Sequence, residues 1–324
     1  MKIMRVDARA GRVETESVDV LVLPHCEGDA FSKQATVIDK SMGGVLRELL
    51  QSKEFEGKPN ELALVHTHGK VPAKRILLVG LGKEKYVTVD QLRQAMGHAV
   101  KRVRQAKAAF FTVAVPSVTP QGSSSLEVAQ AMAEGALLGS YQFTAYRSEG
   151  VSGKDVKGMS LLAAQTSELK SIAEGIRRGV ATAEAAVLVR DLCNHPSNVM
   201  TPTRIAQEAK AIAKEQSLTL KILEQKDIEK LGMGALLGVA RGSHEPPKFI
   251  ILEYKGSKKK DERPVVLVGK TITFDTGGIS LKPAENMEHM KADMTGGAEV
   301  LASIRAAARL KLPLHLISIL PVAE

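Results

Sequence analysis

The stretch VVLVGKTITFDTGGISLKP, residues 265–283, begins as an apolar strand and continues as a polar loop. Its Gly269-Lys270-Thr271 start suggests a phosphate-binding loop, in which backbone N–H groups of a glycine-rich turn surround phosphates. That loop needs a glycine five positions before Gly269, and Pro264 stands there instead. We therefore predict that the segment does not bind a nucleotide, and Lys270 needs another explanation.

Four charged residues occur close together in this segment: Lys270, Asp275, Lys282 and Asp293. All lie in or beside a loop that is predicted to leave a buried strand and run to the next helix. Gly277 is the first of two glycines that follow Asp275 after one intervening residue, and such a pair permits close backbone approach to a ligand. Because carboxylates in such loops bind hard cations, the two aspartates could hold one or two divalent ions.

The same residues have a plainer interpretation as ordinary salt bridges, with Asp293 or Thr295 capping the helix that begins near Gly296. The spacing alone does not decide between these alternatives. A second candidate, HTHG at residues 66–69, offers two histidines at a strand end but no neighbouring carboxylate or cysteine, so we interpret it as strand-end surface.

Composition describes a globular protein in water. The chain of 324 residues is 44% apolar and 25% charged, and it contains no apolar run long enough to span a membrane. Acidic residues in the first segment argue against an export signal. Cys26 and Cys193 are its two cysteines, and we expect both to be buried thiols in a cytoplasmic protein.

A formal net charge of +9 would favour polyanionic partners. The basic residues are scattered, however, and residues 255–260, KGSKKK, form the one dense run. There is no tryptophan to stack on bases. We expect no membrane partner, and nucleic-acid binding remains a minor alternative.

Strand-like and helix-like segments alternate along the chain, which predicts an α/β fold with mostly parallel sheets covered by helices. We predict a first domain over residues 1–165, a linker helix over residues 166–193 that ends near Pro196, and a second domain over residues 194–324. Ligands of such sheets gather beyond the carboxyl ends of the strands.

GKTITFDTGGISLKP followed by MKADMTGGAEV resembles the metal-binding segment of the leucyl (cytosol) aminopeptidase family. Further segments resemble the family in the same order: AEGALLGSYQFTAYRS at 133–148, RDLCNHPSNVMTPTRIAQEA at 190–209 and GMGALLGVARGSHEPPKFIILEY at 232–254. The resemblance implies an N-terminal macro-like α/β domain and a C-terminal α/β/α zinc-peptidase-like domain, of which residues 194–324 are the N-terminal part.

The resemblance also implies roles for individual residues. Lys270, Asp275 and Asp293 match metal ligands, with Asp275 bridging two divalent ions, Mn²⁺ or Zn²⁺. Lys282 matches a catalytic lysine that contacts the substrate. The implied activity is release of N-terminal amino acids, leucine above all, from peptides by metal-activated water, in a homo-hexamer and with bicarbonate as a further group in the complete enzyme.

The family's second motif, Asn-Thr-Asp-Ala-Glu-Gly-Arg, would follow LPLHLISILPVAE, with which this sequence ends. We therefore expect a truncated aminopeptidase, whose polypeptide alone binds metal weakly and has no meaningful peptidase activity. Loss of the later strands is expected to expose a sheet edge. Two alternatives stay open: a non-catalytic scaffold or regulator derived from an aminopeptidase, and a polyanion-binding protein.

Overall fold

The computed structural model describes residues 4–28, 30–116, 120–148, 155–259 and 263–324. The chain divides into two compact units, Met1–Glu184 and Ala185–Glu324. Within the described ranges, no helix has the length and apolar character needed to cross a membrane.

The first unit contains a six-stranded sheet whose strands run in the order β1-β6-β5-β2-β4-β3. Neighbouring strands are parallel except for β3, which is antiparallel to β4. The strands are β1 Arg5–Ala10, β2 Val20–His25, β3 Leu62–His66, β4 Arg75–Gly80, β5 Phe110–Ala114 and β6 Gly158–Ala163.

The helices of the first unit begin at recognisable caps. A capping box of Thr88 and Gln91 starts one helix and a box of Ser124 and Glu127 starts another. The long helix predicted between the domains is present, and it ends at Asn194, close to Pro196 as predicted. The helices are α1 Lys33–Ser41, α2 Val45–Gln51, α3 Val89–Gln105, α4 Ser125–Ser140 and α5 Leu169–Asn194.

Both faces of the central strands of this sheet are buried. Alternate residues of β4 enter two different apolar clusters: Leu77 packs with residues of α3 and α4, and Leu78 packs with residues of α1 and α2. Such strands read as continuous apolar runs, which is why β2 and β4 are evident in the sequence.

The second unit contains a smaller sheet in the order β10-β11-β8-β7, with β9 also paired to β11. Its strands are β7 Thr219–Leu223, β8 Lys248–Lys255, β9 Val265–Val268, β10 Thr271–Ile272 and β11 His315–Ala323. Its helices are α6 Pro202–Gln216, α7 Gln225–Lys230, α8 Gly234–Ala240 and α9 Thr295–Leu310.

Two expectations for the second unit are wrong. Its sheet is mixed rather than mostly parallel, since β8 is antiparallel to both β7 and β11; the segment between β8 and β9 is too short for the crossover that parallel strands need. The strand before the candidate loop is not buried either. Within the described residues β9 pairs with β11 alone, and Val265, Val266 and Val268 are each about half exposed or more.

The predicted fold class, a mixed α/β protein of two parts, is confirmed. The predicted limits at residues 165 and 193 stay a prediction, because α5 runs across the division between the two compact units.

Candidate metal centre

The strand that leads into the candidate loop is interrupted between β9 and β10. The register with β11 is the same on both sides of it, since Val268 lies opposite Ile319 and Thr271 opposite Val322. Between these two pairs, β11 contains Pro321, which has no N–H to donate to the Gly269 carbonyl. The Gly269 carbonyl instead accepts a hydrogen bond from Thr271 Oγ1 at 2.9 Å. Lys270 therefore lies where the ladder is broken.

The structure brings all four predicted site residues together. Lys270 Nζ lies 2.7 Å from Asp293 Oδ2 and 3.7 Å from Asp275 Oδ2. Lys282 Nζ lies 2.8 Å from the same Asp275 oxygen. Asp275 thus faces two lysine amines, and Lys270 lies between two carboxylates.

Asp275 is held by its own loop. Gly277, at a φ of +91°, donates its backbone N–H to Asp275 Oδ1 at 2.9 Å. A Cβ at this glycine would lie 2.4 Å from the Ser280 carbonyl oxygen. The glycine therefore serves both the turn and the orientation of the carboxylate.

Asp293 ends the turn of 3₁₀ helix Met287–Ala292 and precedes α9. It does not cap α9: the N-cap residue is Met294, and no side chain caps it. The Thr295 hydroxyl donates to the Ala292 carbonyl instead. The capping alternative for Asp293 and Thr295 is therefore wrong, whereas the salt bridges of the plainer interpretation are present.

Buried Asp293 Oδ2 has an ion-pair partner but no well-directed hydrogen bond. The Lys270 amine is 2.7 Å away, yet the geometry of a hydrogen bond is not met. The flexible ammonium of Lys270 can reorient to satisfy this oxygen. A buried carboxylate oxygen that is paired with a flexible lysine amine is a suitable ligand for a bound metal ion.

The electrostatics of the cluster follow from these contacts. The Asp293 carboxylate, with Asp275 behind it, raises the pKa of Lys270 above its ordinary value. The hydrogen bond from Lys282, helped by the Gly277 N–H, lowers the pKa of Asp275 to about 2. Asp275 is therefore ionised at neutral pH. The two ammonium groups occupy positions that cations would otherwise take.

The donor set fits part of a metal site. Two carboxylates and one amine provide oxygen and nitrogen donors of the kind that Mn²⁺ and Zn²⁺ accept. Within the described ranges, no group of three or more His, Cys, Asp or Glu side chains is placed to hold a metal. Two carboxylates and one amine are thus the donors that this cluster would offer a divalent cation.

The remaining candidates lie apart from this cluster. His66 is the last residue of β3 and is exposed, as expected of strand-end surface. Cys26 is buried, whereas Cys193 is only partly buried, and both are present as thiols. Burial raises the pKa of the Cys193 thiol. Its Sγ lies 3.3 Å from Thr295 Oγ1, a contact that no motif in the sequence indicates.

Comparison with known proteins identifies the family of this chain. Residues 20–150 match the N-terminal domain of the cytosol aminopeptidase family, and residues 187–324 match its catalytic domain. The chain belongs to the cytosol aminopeptidase family, a family of peptidases.

Curated relatives extend over nearly the whole chain. A "Probable cytosol aminopeptidase" of Geobacter sp. (strain M21) is 42% identical over 99% of this chain and 64% of its own length. One of Nitrosococcus oceani is 40% identical over the same shares. The chain therefore spans slightly less than two thirds of the length of these relatives.

Solved structures show the same fold. A mutant of tomato leucine aminopeptidase superposes with a TM-score of 0.84 at 27% identity, covering 99% of this chain and 62% of that one. The bottromycin maturation enzyme BotP in complex with Mn superposes with a TM-score of 0.78 at 31% identity, covering 95% and 60%.

Proposed function

We propose that this chain provides the N-terminal domain and part of the catalytic domain of a metal-dependent aminopeptidase, which releases N-terminal residues, leucine above all, from peptides. The observation that carries the proposal is the convergence of Lys270, Asp275 and Asp293 at the broken ladder. Family membership and the Mn complex of BotP support it.

In this proposal Lys270, Asp275 and Asp293 hold divalent cations, Mn²⁺ or Zn²⁺, with Asp275 shared between two ions. Such ions supply Lewis acidity and an activated water for attack on the peptide carbonyl. Lys270 can act as a ligand only as the neutral amine, so it must release the proton that Asp293 now stabilises. Metal affinity should therefore rise with pH.

Lys282 has a different role in the proposal. Its amine is partly exposed and is fixed by Asp275, which holds it beside the cluster without enclosing it. An ammonium at this position would bind the scissile carbonyl oxygen and stabilise the negative charge that develops there.

A polypeptide of residues 1–324 supplies three ligands by this assignment. We expect it to bind Mn²⁺ weakly and to lack meaningful peptidase activity, because ligand charge and geometry are both incomplete. Bicarbonate as a further group, the homo-hexamer and the cytoplasmic location stay predictions. The scaffold and polyanion-binding alternatives draw no support from the comparisons.

The test is a chimera in which the C-terminal third of the Geobacter relative follows residue 324. We expect it to hydrolyse leucine p-nitroanilide with Mn²⁺ and to stop when EDTA is added. Asp275→Asn should lower kcat/KM by more than about 100-fold, since a metal contributes several kcal/mol of transition-state stabilisation.

Asp227→Asn is the matched control, because Asp227 lies in the first turn of α7, outside the cluster. This variant should retain the activity of the parent chimera. Undiminished hydrolysis by Asp275→Asn would refute the assigned metal site.

A further inference from the structure

The first turn of α9 contacts the broken ladder through backbone alone. The Gly297 N–H, one of the helix's first N–H groups, donates to the Lys270 carbonyl at 2.9 Å. A capping side chain usually accepts from this position, but Met294 provides none. The carbonyl of Lys270 thus accepts the hydrogen bond that a capping side chain would otherwise accept.

This bond gives Lys270 two attachments to the same stretch of chain. Its carbonyl is bound by Gly297, and its amine is paired with Asp293 at 2.7 Å. Asp293 directly precedes the N-cap of α9. The separation of the two proposed ligands is therefore set by how closely the start of α9 approaches the strand.

Glycines on both sides permit that approach. A Cβ at Gly297 would lie 2.1 Å from Thr271 Oγ1 and 2.7 Å from its Cγ2. A Cβ at Gly269 would lie 2.3 Å from the Gly296 carbonyl oxygen. Thr271 is fully buried and its hydroxyl is engaged by Gly269. Because a β-branched residue in a packed site has little freedom to turn away, the helix itself would have to move.

We propose that Gly269 and Gly297 are positioning residues, which hold Lys270 and Asp293 at the separation that a shared metal requires. The inference rests on the proposed function, since it concerns the same ligands. Metal–ligand distances in well-formed sites agree with their typical values to within about 0.2 Å, so the relative position of two ligands matters. Groups that orient ligands from behind typically change metal affinity by about 10–100-fold when altered.

The experiment measures Mn²⁺ affinity by water-proton relaxation in the polypeptide of residues 1–324 and in a graded series of variants. Gly297→Ala should weaken binding by about 10–100-fold. Gly296→Ala, whose Cβ would lie 3.1 Å from the Lys270 backbone, should weaken it less. Gly238→Ala in α8, where a Cβ meets nothing within 4 Å, should leave affinity unchanged.

A rescue separates positioning from a general loss of stability. Thr271→Ala removes the two atoms nearest to the added Cβ, so the Thr271→Ala/Gly297→Ala pair should bind Mn²⁺ more tightly than Gly297→Ala alone. If Gly297→Ala does not fold, the Mn²⁺ affinities of Gly296→Ala and Gly238→Ala are compared instead.

The outcomes distinguish the two proposals. If the parent polypeptide binds Mn²⁺ and Asp275→Asn abolishes that binding, the proposed site stands. Equal affinities in Gly297→Ala and Gly238→Ala, or in Gly296→Ala and Gly238→Ala where only those fold, would then overturn the positioning role alone. A parent whose Mn²⁺ binding is absent or is unaffected by Asp275→Asn would overturn the proposed site, and the positioning role with it.

Discussion

The two sheets of this protein treat their apolar strands differently. In the first unit, Val79 of β4 is fully buried between two layers of helices. In the second unit, Val268 of β9 is 66% exposed, although β9 is just as apolar. The candidate metal residues follow β9 and not β4.

The two units differ in how their sheets are covered and in where charged side chains cluster. The first unit's sheet is covered on both faces by apolar clusters. The second unit has its own buried core, but it places its charged cluster after a strand with one partner among the described residues. The following changes test how differently the two sheets respond to substitution.

The largest effect is expected in the core of the first unit. Phe111 is 1% exposed, whereas Phe110, its neighbour on the same strand, is 53% exposed. Phe111→Ala should lower the free energy of unfolding by about 3–5 kcal/mol, because it leaves a cavity. Phe110→Ala, measured in the same urea titration, should cost far less. Equal losses would show that the two faces of β5 are not distinct.

The next effect concerns a buried carboxylate between helices. Glu134 of α4 accepts hydrogen bonds from Arg93 at 2.8 Å and Thr182 at 2.7 Å. Glu134→Ala should cost about 2–3 kcal/mol, less than a fully buried pair because Arg93 is partly exposed. Asp90→Ala removes the exposed partner of the same arginine and should cost much less, because solvent screens that pair. Thermal unfolding of both variants provides the measurement. A larger loss of stability in Asp90→Ala than in Glu134→Ala would contradict this prediction.

The edge of the second sheet should respond in association rather than in stability. Val268→Lys adds a charge to an exposed apolar strand and should reduce self-association, because charged edges resist pairing with other chains. Its free energy of unfolding should change by no more than about 0.5 kcal/mol. Light scattering over a concentration series provides the measurement. Unchanged association would mean that β9 is not the surface through which chains meet.

The smallest effect is expected on the surface of α5. Hydrogen bonds from Arg177 and then Arg178 lower the pKa of Glu174 from 4.5 to about 2. A depressed pKa stabilises the folded state above the ordinary value, and this contribution disappears as pH falls from 4.5 towards 2. In Glu174→Gln the free energy of unfolding, measured in urea, should therefore fall slightly less over that pH range. A steeper acid dependence in the variant would contradict the assignment.

The sequence was most informative where one local rule sufficed. Apolar runs located β2 and β4, and Pro196 marked the end of α5. By contrast, β1 alternates Arg5, Asp7 and Arg9 with apolar residues. This two-residue period is typical of a half-buried strand, but a search for continuous apolar runs does not detect it. The exposure of β9 was also beyond local reasoning, since an apolar run does not reveal how many neighbours the strand has.

For the site, the sequence brought four charged residues into one loop but not the framework behind them. The contact of Gly297 with Lys270, and the effect of Pro321 on the ladder, depend on which residues lie opposite each other across the sheet. Register is a tertiary property, and no motif within residues 265–297 encodes it.

Pro321 affects both the pairing of the strands and the position of Lys270, which limits how these residues can change in evolution. A residue with an N–H at this position could capture the Gly269 carbonyl, release the Thr271 hydroxyl and favour a continuous strand in place of the gap that Lys270 now occupies. Substitutions at positions 269, 271, 297 and 321 should therefore be inherited together, although more than fifty residues separate the first from the last. Lineages that retained the activity would have little freedom to change one of the four alone.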